Sequence, residues 1–483
     1  MPEELETIIG LEVHVQLATK SKAFCSCPTN FESLPNTNIC PICCGYPGVL
    51  PVFNRKALEL GLRVCLALGC KINGRIYFER KNYFYPDLPK NYQISQYKVP
   101  LGEGGCITLS TGRKIGIERA HLEEDAGKLI HKEDCSLVDF NRTGIPLLEI
   151  VSKPDINSAD EAFRYLKLLK LTLQYLGVSS CDMEKGYLRC DANISLKEKR
   201  AKELGTKVEL KNMNSFHGVK DALESESRRQ RISLEKGERI LQETRLWDET
   251  KKQTFIMRTK EEAHDYRYFP EPDLVDFVIE EPMIEEQRSF ISELPAVKEA
   301  RFKKEYMLRE NGLTEKEIDI LISHKWLADF FELSVKELGD SKNIANWILG
   351  PFLELTNSLD KGFEQVKITP ANFSKIVKYF LEGRLNNLGA KKVLVNVLTN
   401  NEDIDKVIEK EKLTQVSKEE GLMPFVEQTI SENPKPVSDY LGGKQSAIMF
   451  LVGCVMRKSR GKANPKVVKE MLEKRIKVKG GKI

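Results

Sequence analysis

TIIGLEVHVQL, residues 7–17, is the stretch on which the fold turns. It alternates strictly, as a half-buried β-strand must, because successive side chains leave opposite faces of the strand. Ile9, Leu11, Val13, Val15 and Leu17 form one row, and Gly10, Glu12, His14 and Gln16 form the other. The polar row sets a carboxylate and an imidazole about 7 Å apart, two residues at about 3.3 Å each. A lone histidine on a strand is more often a satisfied surface or core residue than a ligand. A Glu-x-His pair on a polar strip is a better metal or phosphate candidate.

Further along, HLEEDAGK (121–128) and DFNRTGIPLLEIVSKPD (139–155) pack Glu123, Glu124, Asp125, Asp139, Glu149 and Asp155 beside Lys128, Arg142 and Lys153. Apolar pieces such as LIH, IPLL and EIV interrupt the charges, which is not the pattern of a solvated helix face. Carboxylate oxygens suit Mg²⁺, which is commonly held by one or two carboxylates together with substrate phosphates. The plainer alternative for this segment alone is a network of surface ion pairs.

A chain of 483 residues should make about three domains. Net charge is only +4, yet from Arg457 onward eleven Lys or Arg face two Glu, so positive charge gathers at the C-terminal end. That favours a polyanion partner over a frayed solubilising tail, and no run of about 18 apolar residues calls for a membrane. MPEELETIIG has no basic stretch followed by an apolar one, so a cytoplasmic location is expected. Most of the twelve cysteines are scattered, but Cys25 and Cys27 form C-x-C, and Cys40 and Cys43 form C-x-x-C with twelve residues between the pairs. Pro28, Asn30, Pro35, Asn36 and Pro41 supply turns. Two close thiol pairs on turns can close a tetrahedral zinc site, with Cys44 competing as fourth ligand; catalytic or redox thiols are the weaker reading.

Up to about Phe290 the chain reads as strands and loops interrupted by two helices, Arg55 to Leu68 and Ser158 to Leu176, the latter stopped by Gly177. The fold class is α+β. From about Leu294 amphipathic helices take over, with Pro295 and Thr369-Pro370 marking starts, and a third unit begins near Asp405. The expected domains are 1–293, 294–405 and 406–483. Polar clusters crowd the first of these: RKNYFYPDLPKNYQISQ from Arg80, RCDANIS from Arg189, VELKNMNSF from Val208, ETRLWDE from Glu243 and HDYRYFPEPDL from His264. A sheet with a polar working face would explain them together. In VELKNMNSF the alternation breaks at Asn212, which predicts a bulge or strand end. No G-x-x-x-x-G-K-[ST] loop and no G-x-S-x-G occur, so any bound nucleotide must be held by side chains and metal.

Taken together, GLEVHVQL, CPICCGYPGVLPV, RKNYFYPDLPKNYQISQ, HLEEDAGK, IPLLEIVSKPD, RCDANIS, ELKNMNSF, DYRYFPEPDL and GKANPKVV span essentially the whole chain. In these motifs it resembles the B subunits of bacterial and organellar aspartyl/glutamyl-tRNA amidotransferases. The resemblance implies a cradle-like catalytic domain with a largely antiparallel sheet, related to the glutamine synthetase and guanidino kinase fold, then a helical domain and a small helical tail domain. It implies ATP-dependent phosphorylation of the side-chain carboxylate of Glu-tRNA(Gln) or Asp-tRNA(Asn), followed by displacement of phosphate by ammonia. It also implies two partners in a heterotrimer whose tail domain grips the tRNA. One is the glutaminase that delivers ammonia, the A subunit; the other is the small C subunit.

Carried onto this chain, the resemblance implies a Mg²⁺ site of His14, Glu124 and Glu149, with Glu12 and Glu123 beside it. Mn²⁺ is an alternative, since histidine is an uncommon Mg²⁺ ligand. Glu12, Glu123, Glu124 and Asp191 are the catalytic candidates. Lys211 and Asn212 would line the nucleotide pocket, and Arg245 and Arg267 are phosphate candidates chosen by residue type. Some members lack Cys25, Cys27, Cys40 and Cys43, which makes them a structural zinc clip; hydrophobic residues are commoner at Cys44, an unlikely ligand. The competing readings are the archaeal glutamate-specific counterpart, a glutamine synthetase-like small-molecule ligase, and a non-catalytic zinc-bearing RNA-binding module.

Overall fold

The computed structural model describes residues 5–30, 32–259, 266–308, 311–359, 362–400, 402–411, 413, 419–459 and 463–480. The chain divides into two compact units, residues 1–298 and 299–483.

The first unit is built on a sheet that has ten strands among the described residues. In chain order they are β1 (Leu5–Gln16), β2 (Lys71–Ile72), β3 (Gly102–Glu103), β4 (Cys106–Thr108), β5 (Lys114–Glu124), β6 (Pro146–Ser152), β7 (Leu188–Glu198), β8 (Val208–Lys211), β9 (Glu243–Asp248) and β10 (Gln253–Thr259). Across the sheet the order is β10-β9-β8-β7-β1-β6-β5-β3-β2, with β4 paired to β5. The β8–β9 pair is parallel and the others are antiparallel. The alternating stretch therefore lies in the central strand.

Ile9, Leu11, Val13 and Val15 are wholly buried. They share one core with Leu58 and Leu62 of helix α1 (Arg55–Ala67), Leu166, Leu169 and Leu173 of α2 (Ala159–Tyr175), and Val219 and Leu223 of α3 (Phe216–Glu235). Helices thus cover the apolar face of the sheet and leave the other face polar. Ser158 caps α2 through the Glu161 amide, and Gly177 follows it at φ +64°, the left-handed stop its sequence announces.

Two helices were expected in this region, and the structure adds α3 and Glu281–Ser289. α3 escapes a search for apolar periodicity because the buried face begun by Val219, Ala222 and Leu223 continues through Glu226 and Gln230. β8 ends where expected: Asn212 turns out at φ +67° and donates its amide to the Trp247 carbonyl at 3.1 Å. The run ETRLWDE divides between the two faces: Thr244 donates to Glu209 on the polar face at 2.7 Å, whereas its charged neighbour leaves that face. Arg245 faces the same side as buried Leu210 and meets Glu243, Glu226 and Thr254 beneath α3.

The second unit is helical. Thr369 caps Pro370–Leu381, and Asp405 accepts from Lys375 and Tyr379, tying Ile404–Lys410 to that helix. A separate core forms around Leu422, Val426, Leu451, Val455, Val468, Leu472 and Ile476. No helix of the described residues is long and apolar enough to cross a membrane.

Candidate active site

Register, rather than sequence proximity, assembles the site. On β1 His14 lies opposite Arg189 of β7 on one side and Glu149 of β6 on the other, and Glu149 lies opposite His121 of β5. Directly opposed residues share a face with Cβ atoms about 5 Å apart. The row Arg189–His14–Glu149–His121 therefore crosses four strands, with Glu123 two residues beyond His121.

His14 Nε2 stands 3.5 Å from Glu149 Oε2 and 3.6 Å from Glu123 Oε1, and His121 Nε2 stands 3.1 Å from Glu149 Oε2. One ligand atom from each of His14, Glu123 and Glu149 fits within 4.8 Å of the others. Burial works against a charged His14, but the hydrogen bond and charge of Glu149 and the charge of Glu123 outweigh it and push its pKa up to about 9. Burial and the neighbouring Glu149 push the Glu123 carboxyl up. Burial opposes ionisation of Glu149 as well, yet the two imidazoles hold it well below the usual carboxylate range. Two carboxylates this close share protons or a cation.

Glu124, expected beside His14, is not brought there. Adjacent strand residues point to opposite faces, so Glu123 joins the cluster while Glu124 turns to the helix side. There it pairs with Lys90, and its Oε1 accepts the Ile94 amide at 2.9 Å. It lines a cavity of about 180 Å³ with Lys90, Tyr92, Phe24, Lys22 and Cys43.

Glu12 and Asp191 are brought together as cross-strand partners on the polar face. Glu12 Oε1 accepts from Asn193 Nδ2 at 2.9 Å, and Asp191 pairs with Lys211, which also lies 3.1 Å from Glu209. Burial opposes the Lys211 charge, but Asp191 and Glu209 outweigh it and raise its pKa. Arg245, a phosphate candidate by residue type, lies on the other face and is fully engaged there. Arg267 is exposed at φ +45°, and its carbonyl accepts from Asn82 at 2.9 Å. His264 and Asp265 of the same run lie outside the described residues.

Tyrosines rim the acidic cluster. Tyr268 stacks on Tyr97 at 4.2 Å, and Tyr83 meets Tyr266 edge-on at 5.9 Å. Burial, then the charge of Glu123, pushes the phenols of Tyr83 and Tyr268 up. Lys81 Nζ sits 4.9 Å from the Tyr266 ring. Sequence reasoning named neither His121 nor Arg189 as a site residue; both became visible only through their register with His14.

Cys25, Cys27, Cys40 and Cys43 each bring a sulfur within 4.8 Å of the others, although the described residues of 25–54 form no helix or strand. The loop is tied down from outside: Asn36 donates to Val138 O and accepts from the Phe140 amide, and Asn141 donates to Leu34 O. The hydrogen bond from Cys25, the Cys40 amide and nearby Lys22 lower the Cys43 thiol to about 4, against burial. A tetrahedral S₄ site asks for such a donor set.

Residues 7–285 match the family described as the GatB/GatE catalytic domain, and residues 329–476 match the GatB domain. Over 481 residues the chain is 45% identical to the B subunit of the aspartyl/glutamyl-tRNA(Asn/Gln) amidotransferase of Carboxydothermus hydrogenoformans, covering 98% of this chain and 99% of that protein. It is 47% identical over 475 residues to the corresponding protein of Thermoanaerobacter pseudethanolicus, with 98% and 99% covered. Sharing both domains and nearly half its residues with such proteins from end to end, the chain belongs to the family of B subunits of aspartyl/glutamyl-tRNA(Asn/Gln) amidotransferases.

Proposed function

We propose that the polar face of the sheet activates the side-chain carboxylate of Glu-tRNA(Gln) or Asp-tRNA(Asn) with ATP and then exchanges phosphate for ammonia. A carboxylate is a poor electrophile, so an amide can form only after one of its oxygens carries a better leaving group. The γ-phosphoryl group moves to a carboxylate oxygen and ADP leaves. Ammonia then adds at the acyl carbon, and the C–O bond to phosphate breaks. The observation that carries this reading is the row of half-buried His14 with buried Glu149, His121 and Glu123, with cations and tyrosines at its rim.

His14, Glu123 and Glu149 fit a divalent cation: three donor atoms converge, and two of them are carboxylates that repel one another without it. Mg²⁺, or Mn²⁺ given the imidazole, would neutralise phosphate oxygens there. Lys211 lines one side of the same face, Asn212 at the end of its strand is a nucleotide candidate by resemblance alone, and Arg267 remains one at the rim. Arg245 does not. In this reading the carboxylates of Glu12 and Asp191 take the proton that nitrogen loses. Glu124, with Lys90, serves from the cavity side. The four cysteines hold zinc as a structural clip.

The same reading places the chain in the cytoplasm, in a heterotrimer with a glutaminase (the A subunit) and the small C subunit. It assigns residues 1–293 to a cradle domain of glutamine synthetase and guanidino kinase type, 294–405 to a helical domain, and 406–483 to a tRNA-gripping tail. The test combines this chain with the A and C subunits, glutamine, γ-labelled ATP and Glu-tRNA(Gln), following phosphate release and Gln-tRNA(Gln) together. Amidated tRNA that requires ATP and this chain supports the reading; ATP turnover without amidated tRNA points to a small-molecule ligase.

A further inference from the structure

Phosphoryl transfer is accelerated mainly by positioning and by cations that meet the charge spread over the phosphoryl oxygens. The two arginines chosen by residue type do not answer this need at the cluster: Arg245 is on the other face and Arg267 is out on the rim. Most other cations nearby are committed. Lys211 has Asp191 and Glu209 against it. Arg142 donates to the Ala126 and Gly127 carbonyls at 3.0 and 2.6 Å. Lys81 lies over the Tyr83 and Tyr266 rings.

Arg189 differs from all of these. It is the cross-strand neighbour of His14, so its side chain rises from the polar face one strand away from the metal candidate. One terminal nitrogen donates to Asp125 Oδ1 at 2.8 Å, and its remaining nitrogens meet no protein acceptor among the described residues. The side chain is 36% exposed, whereas Asp125 is 2% exposed and is itself fixed by Gln16 Nε2 at 2.9 Å and the Ala126 amide at 2.9 Å. Asp125 therefore holds the guanidinium by one corner and leaves the rest of the fork open beside the acidic cluster. A planar fork so presented suits two oxygens of one phosphoryl group.

We propose that Arg189 is a catalytic residue that grips the transferring phosphoryl oxygens, and that Asp125 is its positioning residue. This rests on the ATP-dependent reading given above. It excludes a purely structural role in which Arg189 only neutralises the buried Asp125.

The test uses the assembled complex carrying Arg189→Ala, Arg189→Lys, Asp125→Asn and the double variant Arg189→Ala/Asp125→Asn. With Glu-tRNA(Gln), Arg189→Ala should lose about 100-fold or more in kcat for ATP cleavage, the usual effect of removing one charge-stabilising donor, while tRNA affinity stays unchanged. Arg189→Lys keeps the charge without the fork and should fall between Arg189→Ala and wild type. Guanidinium ion added to Arg189→Ala should restore part of the rate. The double variant should stay as slow as Arg189→Ala, and Asp125→Asn alone should lose less, about tenfold. Recovery of the double variant to near the wild-type rate would show that Arg189 only balances Asp125 and overturns the proposal. So would an Arg189→Ala complex within about twofold of wild type. A wild-type complex that cleaves no ATP overturns the underlying reading as well, and so is told apart from failure of Arg189 alone.

Discussion

At the residue scale, the pair Glu123-Glu124 decides most about the site. The two acids are chemically identical and adjacent, and their strand gives one to each face of the sheet. Glu123→Gln should therefore abolish Mn²⁺ binding to the chain, whereas Glu124→Gln should bind Mn²⁺ like wild type. Calorimetric titration of both variants checks this, and weaker binding in Glu124→Gln alone would reverse the assignment. The imidazole adds a pH signature. In the metal-free chain the His14 pKa is pushed up to about 9, so near neutrality the cation must displace a proton. Affinity should rise with pH, approaching about tenfold per unit below pH 9 and levelling off above it. Titrations at about pH 6.5 and about pH 7.5 that gave the same affinity would contradict a ligand role for His14.

At the element scale, the central strand was legible and α3 was not. Strict alternation in residues 7–17 has one simple solution, and Ile9 to Val15 are buried as it demands. α3 buries carboxylate and amide groups on its inner face, where Glu226 meets Arg229 and Gln230. Those groups are acceptable inside only because β9 and β10 offer Arg245 and Thr254 in return. A polar residue whose partner is supplied by a distant strand looks like a surface residue in one dimension. The start of α3 was readable in principle: Ser215 accepts from the Gly218 amide at 2.9 Å. Ser215→Ala should cost about 1 kcal/mol, seen as a lower denaturant midpoint for the first unit, and an unchanged midpoint would mean the cap contributes nothing.

At the scale of the whole molecule, the thiol loop bears on stability and the basic C-terminal end on tRNA affinity. Removing zinc with a chelator should lower the melting temperature of the chain, because the described residues of the 25–54 loop form no helix or strand to fall back on. A chain that contains zinc yet melts identically without it would end the structural-clip reading. The basic C-terminal end cannot be tested by truncation after Arg457, because Val468, Leu472 and Ile476 belong to a core with Leu422, Val426 and Leu451. Deletion would dismantle that core. Neutralising Lys466, Lys469, Lys474 and Lys477 to Gln leaves the apolar face intact. It should weaken tRNA binding and flatten its dependence on salt, by about 0.7 to 0.9 in the log–log slope for each phosphate no longer neutralised. A full slope would show that this face does not touch phosphate.

By itself the sequence determined what local chemistry can determine: the alternating strand with its Glu-x-His strip, the caps and stops of α2, the two thiol pairs, the strand end at Asn212, and the family through its motifs. Each depends on residues a few positions apart, where spacing and backbone preference act directly. Tertiary structure decided which distant groups meet. The pairing of β1 with β6 and β7, and of β6 with β5, chose Glu123 over Glu124, brought His121 and Arg189 to His14, and sent Arg245 under α3. The physical reason is the two-residue period of a strand: a shift of one residue in register carries every side chain to the opposite face, and only burial of the complete apolar face against the helices fixes which register is kept.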